Sequence, residues 1–253
     1  MKSIYPSRVA KALKLLKESG QREALIISSN PHAVRSRDTH YPFRQNSDLF
    51  YFTGSHAEQL TLVLRPYAKE PVVLLVLPED KVKTVWEGPQ ASVRPLARLL
   101  KAEVVTSSDQ LKSLLALVRG ADIAYVQSIA GTASAALKAD LSGRSSLASR
   151  GLPGAIVEAE RFTARLRAIK DSHEVNLIKE SAALTSDAML TLLPLLRDGT
   201  PEHDIAALLD YFYRAHGGEP AFGTIVAAGK SAATLHYHGL SKKLRDGEFV
   251  LID

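Results

Sequence analysis

The residues able to do chemistry are few and lie far apart along the chain. Two histidines stand two apart in "LHYHG", at His236 and His238. On a strand that spacing puts both imidazoles on one face, where they can share a metal ion. From spacing alone, exposed or hydrogen-bonded histidines are the plainer reading. The last residues, "GEFVLID", place four apolar side chains after an Asp246–Gly247 turn and then the carboxylate of Asp253. They read as a buried strand with a carboxylate at its tip, and they leave open what that carboxylate serves. A third group is "RDTHYPFRQNSD" (37–48), which crowds Arg37, Asp38, Arg44 and Asp48 into one polar stretch. Those charges suffice to pair with one another and peg the stretch to a sheet. The sequence holds no P-loop, GxGxxG, HExxH or GxSxG pattern and no cysteine, so disulfides, thiolate metal sites and cysteine nucleophiles are excluded within these residues.

Periodicity predicts the elements that carry these groups. Val9, Ala12, Leu13 and Leu16 recur at helical spacing over 7–19, with Gly20 as the stop. "ALIISS" (24–29) reads as a buried strand. Residues 30–48, rich in Pro, Asn, Asp and Arg, read as a long loop, and such loops in compact domains tend to be functional. "LFYFTG" (49–54), "LTLVLRP" (60–66) and "PVVLLVLP" (71–78) read as strands, the last two as a hairpin. A helix over 79–86 runs to Trp86 and breaks at "EGP". Helix and strand then alternate through "VRPLARLLKA", "EVVTSS", "DQLKSLLALVRG" and "DIAYVQS", followed by a helix over 133–140 and a small, polar linker. That alternation predicts an α/β domain with a parallel or mixed sheet. Past a boundary at 150–160 the pattern changes. Asp171 and Glu174 have capping-box spacing. Val175, Ile178, Ala182, Met189 and Leu193 continue one face of a long helix that Gly199 stops. Pro201 takes the first position of the next helix, whose stripe is Ile205, Leu208, Leu209 and Phe212. "TIVAAG" (224–229) and "FVLID" (249–253) read as strands.

Composition excludes several classes. The 253 residues are 45% hydrophobic and 23% charged with a net charge of +5, the balance of an ordinary globular protein. The basic residues are scattered, dense only at "RFTARLRAIK" (161–170), and form no stripe with interleaved aromatics, so no nucleic-acid partner is expected. No apolar run approaches the ~20 residues that span a bilayer, so no membrane partner is expected. The first residues lack an apolar signal-peptide core; they are amphipathic and basic like a transit peptide, but a first surface helix is the plainer reading. The absence of cysteine fits a cytoplasmic location.

"RDTHYPFRQNSDLFYFTG" (37–54) resembles the N-terminal-domain signature of the aminopeptidase P (Xaa-Pro aminopeptidase) family, close to R-D-x-x-Y-P-[YF]-R-Q-x-S-D-x-x-Y-x-T-G. Downstream, "RAIKDSHEVNLIKESAALTSDAM" is similar to the family's linker and the first helix of its pita-bread domain. "GGEPAFGTIVAAGKSAATLHY" is similar to P-x-x-x-[ST]-I-V-x-x-G-x-x-x-x-x-L-H-Y. "LRDGEFVLID" resembles the strand whose terminal aspartate is the first metal ligand. The resemblance runs in order along nearly the whole chain. It implies a creatinase/prolidase-like α/β domain with a mixed sheet over 1–155, followed by a truncated, incomplete α+β pita-bread domain over 156–253. The R-D-x-x-Y-P signature points to the aminopeptidase P branch rather than to prolidase or creatinase relatives.

The same resemblance implies roles. The family hydrolyses the bond between an N-terminal residue and a following proline, using a hydroxide bridging two divalent metals, usually manganese. Asp253 matches one of five ligands. The other four, a second Asp, a His and two Glu, come later in the family. The 253 residues alone are therefore expected to be a fragment that is inactive and binds no metal pair. His236 matches the LHY histidine beside the scissile bond, where a donor stabilises the tetrahedral intermediate or helps the proline nitrogen leave. Asp38 belongs to a domain that approaches a neighbour's active site in family oligomers, and Trp86 is itself the candidate for the tryptophan that lines the substrate entrance. A loop-pegging carboxylate and a buried aromatic are the alternatives for Asp38 and Trp86. The intact enzyme is expected to be a homo-oligomer, a dimer or tetramer, acting on peptides with proline in second position. Two positions depart from the pattern: Leu240 stands where Asn is common four residues after the LHY histidine, and Gln90 where Arg closes a W-x-G-x-R element. The alternative function is a non-catalytic pita-bread module that binds peptides or proteins.

Overall fold

Strand β1 (Glu23–Ser28) is buried at all six positions. A strand with no wet face needs cover on both sides, and the flanking helices supply it. The computed structural model describes residues 4–143, 147 and 150–253 and divides into two units, Met1–Ile169 and Lys170–Asp253. The further strands of the first unit are β2 (Val34–Ser36), β3 (Thr39–His40), β4 (Leu60–Leu64), β5 (Val72–Val76), β6 (Glu103–Thr106), β7 (Ile123–Val126) and β8 (Ala155–Glu158). Six of them form one sheet in the order β6-β5-β4-β1-β7-β8, while β2 and β3 make a separate ribbon. β4 runs antiparallel to β1 and β5, with Leu25 opposite Leu64 and Leu62 opposite Leu74; the pairs β1–β7, β7–β8 and β5–β6 are parallel. This is the mixed α/β sheet that the alternation predicts.

The helices of this unit are α1 (Tyr5–Glu18), α2 (Ser47–Thr53), α3 (Lys81–Glu87), α4 (Arg94–Leu100), α5 (Gln110–Leu117), α6 (Ala133–Ser142) and α7 (Ala159–Arg167). Successive strand residues face opposite ways. Leu25 and Ile27 join one core with Val9 and Leu16 of α1, Phe52 of α2 and Phe162 and Leu166 of α7. Ala24 and Ile26 join a second core with Leu114 of α5 and Leu137 and Leu141 of α6. Each fully buried Leu, Ile or Phe contributes about 1.5–3 kcal/mol. β8 and α7 thus belong with the first unit.

The expected strand over 49–54 is instead helix α2. The Asn46 side chain accepts from the backbone N–H groups of Asp48 (2.9 Å) and Leu49 (3.0 Å), and Gly54 closes the helix in the left-handed region at φ 61°. The run "LFYF" has the apolar density of a strand, but its two caps decide for helix. The expected loop 30–48 is also interrupted by the β2–β3 hairpin.

In the second unit, α8 (Ser172–Leu192) opens on the expected capping box: Glu174 N–H donates to Asp171 Oδ1 (2.9 Å) and Asp171 N–H to Glu174 Oε2 (3.0 Å). Of its predicted stripe Val175, Ile178, Ala182 and Leu193 are exposed and Met189 is half-buried; the buried residues of the helix are Ala188 and Leu192, each one position before a predicted one. The helix ends before Gly199, at a 3-10 turn over Leu193–Leu195, because Pro194 has no N–H to continue it. Pro201 is the N-cap of α9 (Glu202–Ala215), one position earlier than expected, with extended backbone (φ −68°, ψ 142°). Ile205 and Leu209 of α9 pack with Val226 and Ala228 of β9 (Val226–Ala228), which pairs antiparallel with β10 (Val250–Ile252).

Candidate active site

The order of strands β9 and β10 fixes Asp253. Val226 pairs with Ile252, Ala227 with Leu251 and Ala228 with Val250. The ladder continues one step: Ile225 N–H donates to the Asp253 carbonyl (2.8 Å) and Asp253 N–H to the Ile225 carbonyl (3.0 Å). Since Ile252 packs against the core, the period of two turns the Asp253 carboxylate to the opposite face, and the residue is exposed. The sequence therefore delivers a carboxylate at the end of a registered, half-buried strand.

His236 and His238 do not lie on a strand. They follow a 3-10 turn over Gly229–Ala233, and both are exposed. Between them, Tyr237 is turned inward and donates its hydroxyl to Glu202 Oε2 (3.0 Å). Glu202 is fully buried, and its carboxylate accepts two more bonds, from Ala228 N–H at Oε1 (2.8 Å) and Lys242 N–H at Oε2 (2.9 Å). Burial pushes its carboxyl up, but the donors from Lys242, Ala228 and Tyr237 outweigh that and hold it below the ordinary carboxylate range. One carboxylate thus ties the start of α9 to β9 and to the loop that presents His236. Sequence reasoning missed Glu202. At the first position of a helix a glutamate reads as a dipole-compensating surface charge, and only burial reveals otherwise.

Leu240, in the same loop, adopts φ 43°. The left-handed region is costly for leucine and easy for asparagine, which gives the common family Asn a backbone rationale and this chain a small local strain.

In the first unit, Asp38 sits in the turn of the β2–β3 hairpin and is exposed; it makes no pair with Arg37 or Arg44. The expected ion pairing within "RDTHYPFRQNSD" does not form. Asp48, near the start of α2, instead accepts from Thr163 Oγ1 (2.9 Å) and from Arg167, both on α7. It faces inward, where α7 supplies donors that the loop arginines cannot. Asn30 holds the loop by donating to the Arg44 carbonyl (2.9 Å). Trp86, on α3, is 84% exposed, so the buried-aromatic alternative does not hold. Asp38 and Trp86 stand on separate elements of this unit, and His236 and Asp253 on separate elements of the other.

A metal pair needs several hard oxygen ligands around it. Among the described residues no group of three or more His, Asp or Glu is gathered in that way. Asp253 offers one carboxylate of the kind such a centre uses.

A mixed-sheet α/β unit, followed by a helical unit with a two-stranded ribbon that carries an exposed aspartate, is the arrangement of the matched part of solved aminopeptidase P structures of the pita-bread fold. Residues 5–125 match the family model described as aminopeptidase P, N-terminal domain, and residues 176–253 that of metallopeptidase family M24. The chain belongs to the aminopeptidase P family. It is 26% identical over 251 residues to the Xaa-Pro aminopeptidase of Escherichia coli, covering 94% of this chain and 56% of that protein. It is 28% identical over 253 residues to the mitochondrial intermediate cleaving peptidase 55 of Arabidopsis thaliana, covering 98% of this chain and 49% of that one. The structure of Pseudomonas aeruginosa aminopeptidase PepP superposes with a TM-score of 0.83 at 26% identity, covering all of this chain and 59% of that one. The chain thus spans about half the length of the curated relatives it matches.

Proposed function

We propose that these residues are the N-terminal domain and the opening of the catalytic domain of an enzyme that removes an N-terminal residue preceding proline. The observation that carries this reading is the placement of Asp253. Its strand is registered against β9 by backbone pairing that extends to Asp253 itself, in the segment that matches the M24 family. An aspartate so held serves as one ligand of a metal pair, with manganese the metal expected. The other ligands are not supplied by these residues, and the 253-residue polypeptide alone is expected to be inactive.

Within this reading His236 is the donor beside the scissile bond. It is exposed on a loop that Glu202 braces, so its ring is free to reach a bound peptide. A bond before proline is a tertiary amide with no N–H, and a donor that assists departure of the proline nitrogen meets that need. Asp38 and Trp86, both exposed, are positioned to meet substrate in an oligomer, as the family resemblance implies. A cysteine-free chain acting on peptides fits the cytoplasm. Among the described residues no helix is long and apolar enough to cross a membrane.

The test is hydrolysis of paired peptides, one with proline and one with alanine in second position, by an enzyme containing these residues. Release of the first residue from the proline peptide alone supports the reading. Equal cleavage of both, or cleavage of neither in the presence of manganese, refutes it.

A further inference from the structure

Helix α3, which carries Trp86, buries none of its side chains. Val82, Val85 and Trp86 all face solvent, so no apolar packing seats the helix. Seven residues do not hold a helix by propensity alone. The Asp80 side chain caps its first turn from within, accepting from Val82 N–H (2.8 Å) and Lys83 N–H (3.2 Å). Among the described residues, the polar link between an α3 side chain and another part of the unit is that of Lys83 Nζ to Glu58 Oε2, at 2.7 Å.

The β2–β3 hairpin, which carries Asp38, is likewise exposed at every strand residue. Besides the Asn30 bond to the Arg44 carbonyl, its side-chain support is His32. The His40 ring meets the His32 ring edge-on at 5.1 Å, and Phe43 lies against the same imidazole at 5.3 Å. His32 Nε2 in turn lies 2.8 Å from Glu58 Oε2, close but off the axis of an aligned hydrogen bond. The supports of both exposed elements therefore meet at one carboxylate oxygen. Burial pushes the Glu58 carboxyl up, while Lys83 and His32 together hold it below its ordinary value, so it stays ionised as the centre of the cluster.

We propose that Glu58 is a positioning residue that pins α3 and the β2–β3 hairpin to one point and thereby sets where Trp86 and Asp38 stand. The proposal rests on the reading that those two side chains face substrate. Glu58 lies in "GSHAEQL", outside every motif singled out in the sequence.

Trp86 is the single tryptophan, so its fluorescence anisotropy reports on α3 alone. Glu58→Ala releases both arms of the pin, and Lys83→Met releases only the α3 arm. Glu58 is partly exposed, so both variants are expected to fold, which circular dichroism checks. The expected result is a fall in Trp86 anisotropy in both variants, with severalfold faster amide exchange over residues 34–41 in Glu58→Ala only. Unchanged anisotropy and exchange in Glu58→Ala overturns the proposal. In an enzyme containing these residues, Glu58→Ala is expected to raise KM for an Xaa-Pro peptide about fivefold with little change in kcat, the mark of lost uniform binding. Loosened elements with an unchanged KM would refute the substrate-facing reading and leave the pin standing. A raised KM with both elements still fixed would refute the pin.

Discussion

Replacing Glu202 by alanine should unfasten the second unit from within. The carboxylate is fully buried and accepts three bonds of 2.8–3.0 Å, from β9, from Tyr237 and from Lys242. A hydrogen bond to a charged group contributes about 1.5–3 kcal/mol, so three bonds sum nominally to about 4.5–9 kcal/mol. They share one carboxylate, so the terms are not additive, and water can reach part of the space left behind. The three donors left behind are neutral and cost about 1–3 kcal/mol each if unsatisfied, so with partial rehydration a loss of about 3–5 kcal/mol is expected here. At about 1.4 kcal/mol per decade it corresponds to a hundredfold or greater increase in amide exchange over residues 226–228 and 237–242. Peptide-resolved hydrogen–deuterium exchange by mass spectrometry reads this directly, and peptides of Met1–Ile169 serve as the internal control. An increase below about fivefold would mean that the three donors find other partners at little cost, and the role given to Glu202 as a hub would fall.

Other perturbations have defined outcomes. The folded carboxyl of Glu202 is depressed, so its stabilisation is full above the ordinary value of 4.5 and is lost as pH falls from there through the folded value; Glu202→Gln should flatten the acid limb of the second unit's denaturation curve. Asp48→Ala leaves Thr163 without its acceptor and strips a charge partner from Arg167, and should cost about 2–3 kcal/mol in urea denaturation of the first unit. Gly54→Ala should cost about 2–4 kcal/mol in the same assay, because φ is +61° and a Cβ would fall 2.1 Å from the Tyr5 ring.

The α/β class and most helices and strands of the first unit were legible because they rest on local periodicity and on capping residues. The Asp171–Glu174 box reads directly from spacing, and so does the β4–β5 hairpin. The misread at 49–54 shows the limit of that method. A short aromatic run fits a strand or a helix equally, and the Asn46 and Gly54 caps had to outweigh it. The stripe of α8 was misjudged for another reason: periodicity marks a face but not what covers it. Within the candidate site, Asp253 and His236 were singled out by motif. Glu202, Glu58 and the Asp48–Arg167 pair were not, since each gains its meaning from a partner at least 25 residues away in sequence or from burial that no local pattern records.

The central claim is that Asp253 holds metal in an enzyme cutting before proline. The most direct measurement is bound manganese, by elemental mass spectrometry after desalting, together with Xaa-Pro peptide hydrolysis, for an enzyme containing these residues with Asp253 intact and as Asp253→Ala. Outer-shell changes alone cost about 10–100-fold in metal affinity or activity, so loss of a direct ligand is predicted to lower activity more than about 100-fold and to deplete the bound metal. Undiminished metal content and hydrolysis in Asp253→Ala would contradict the account.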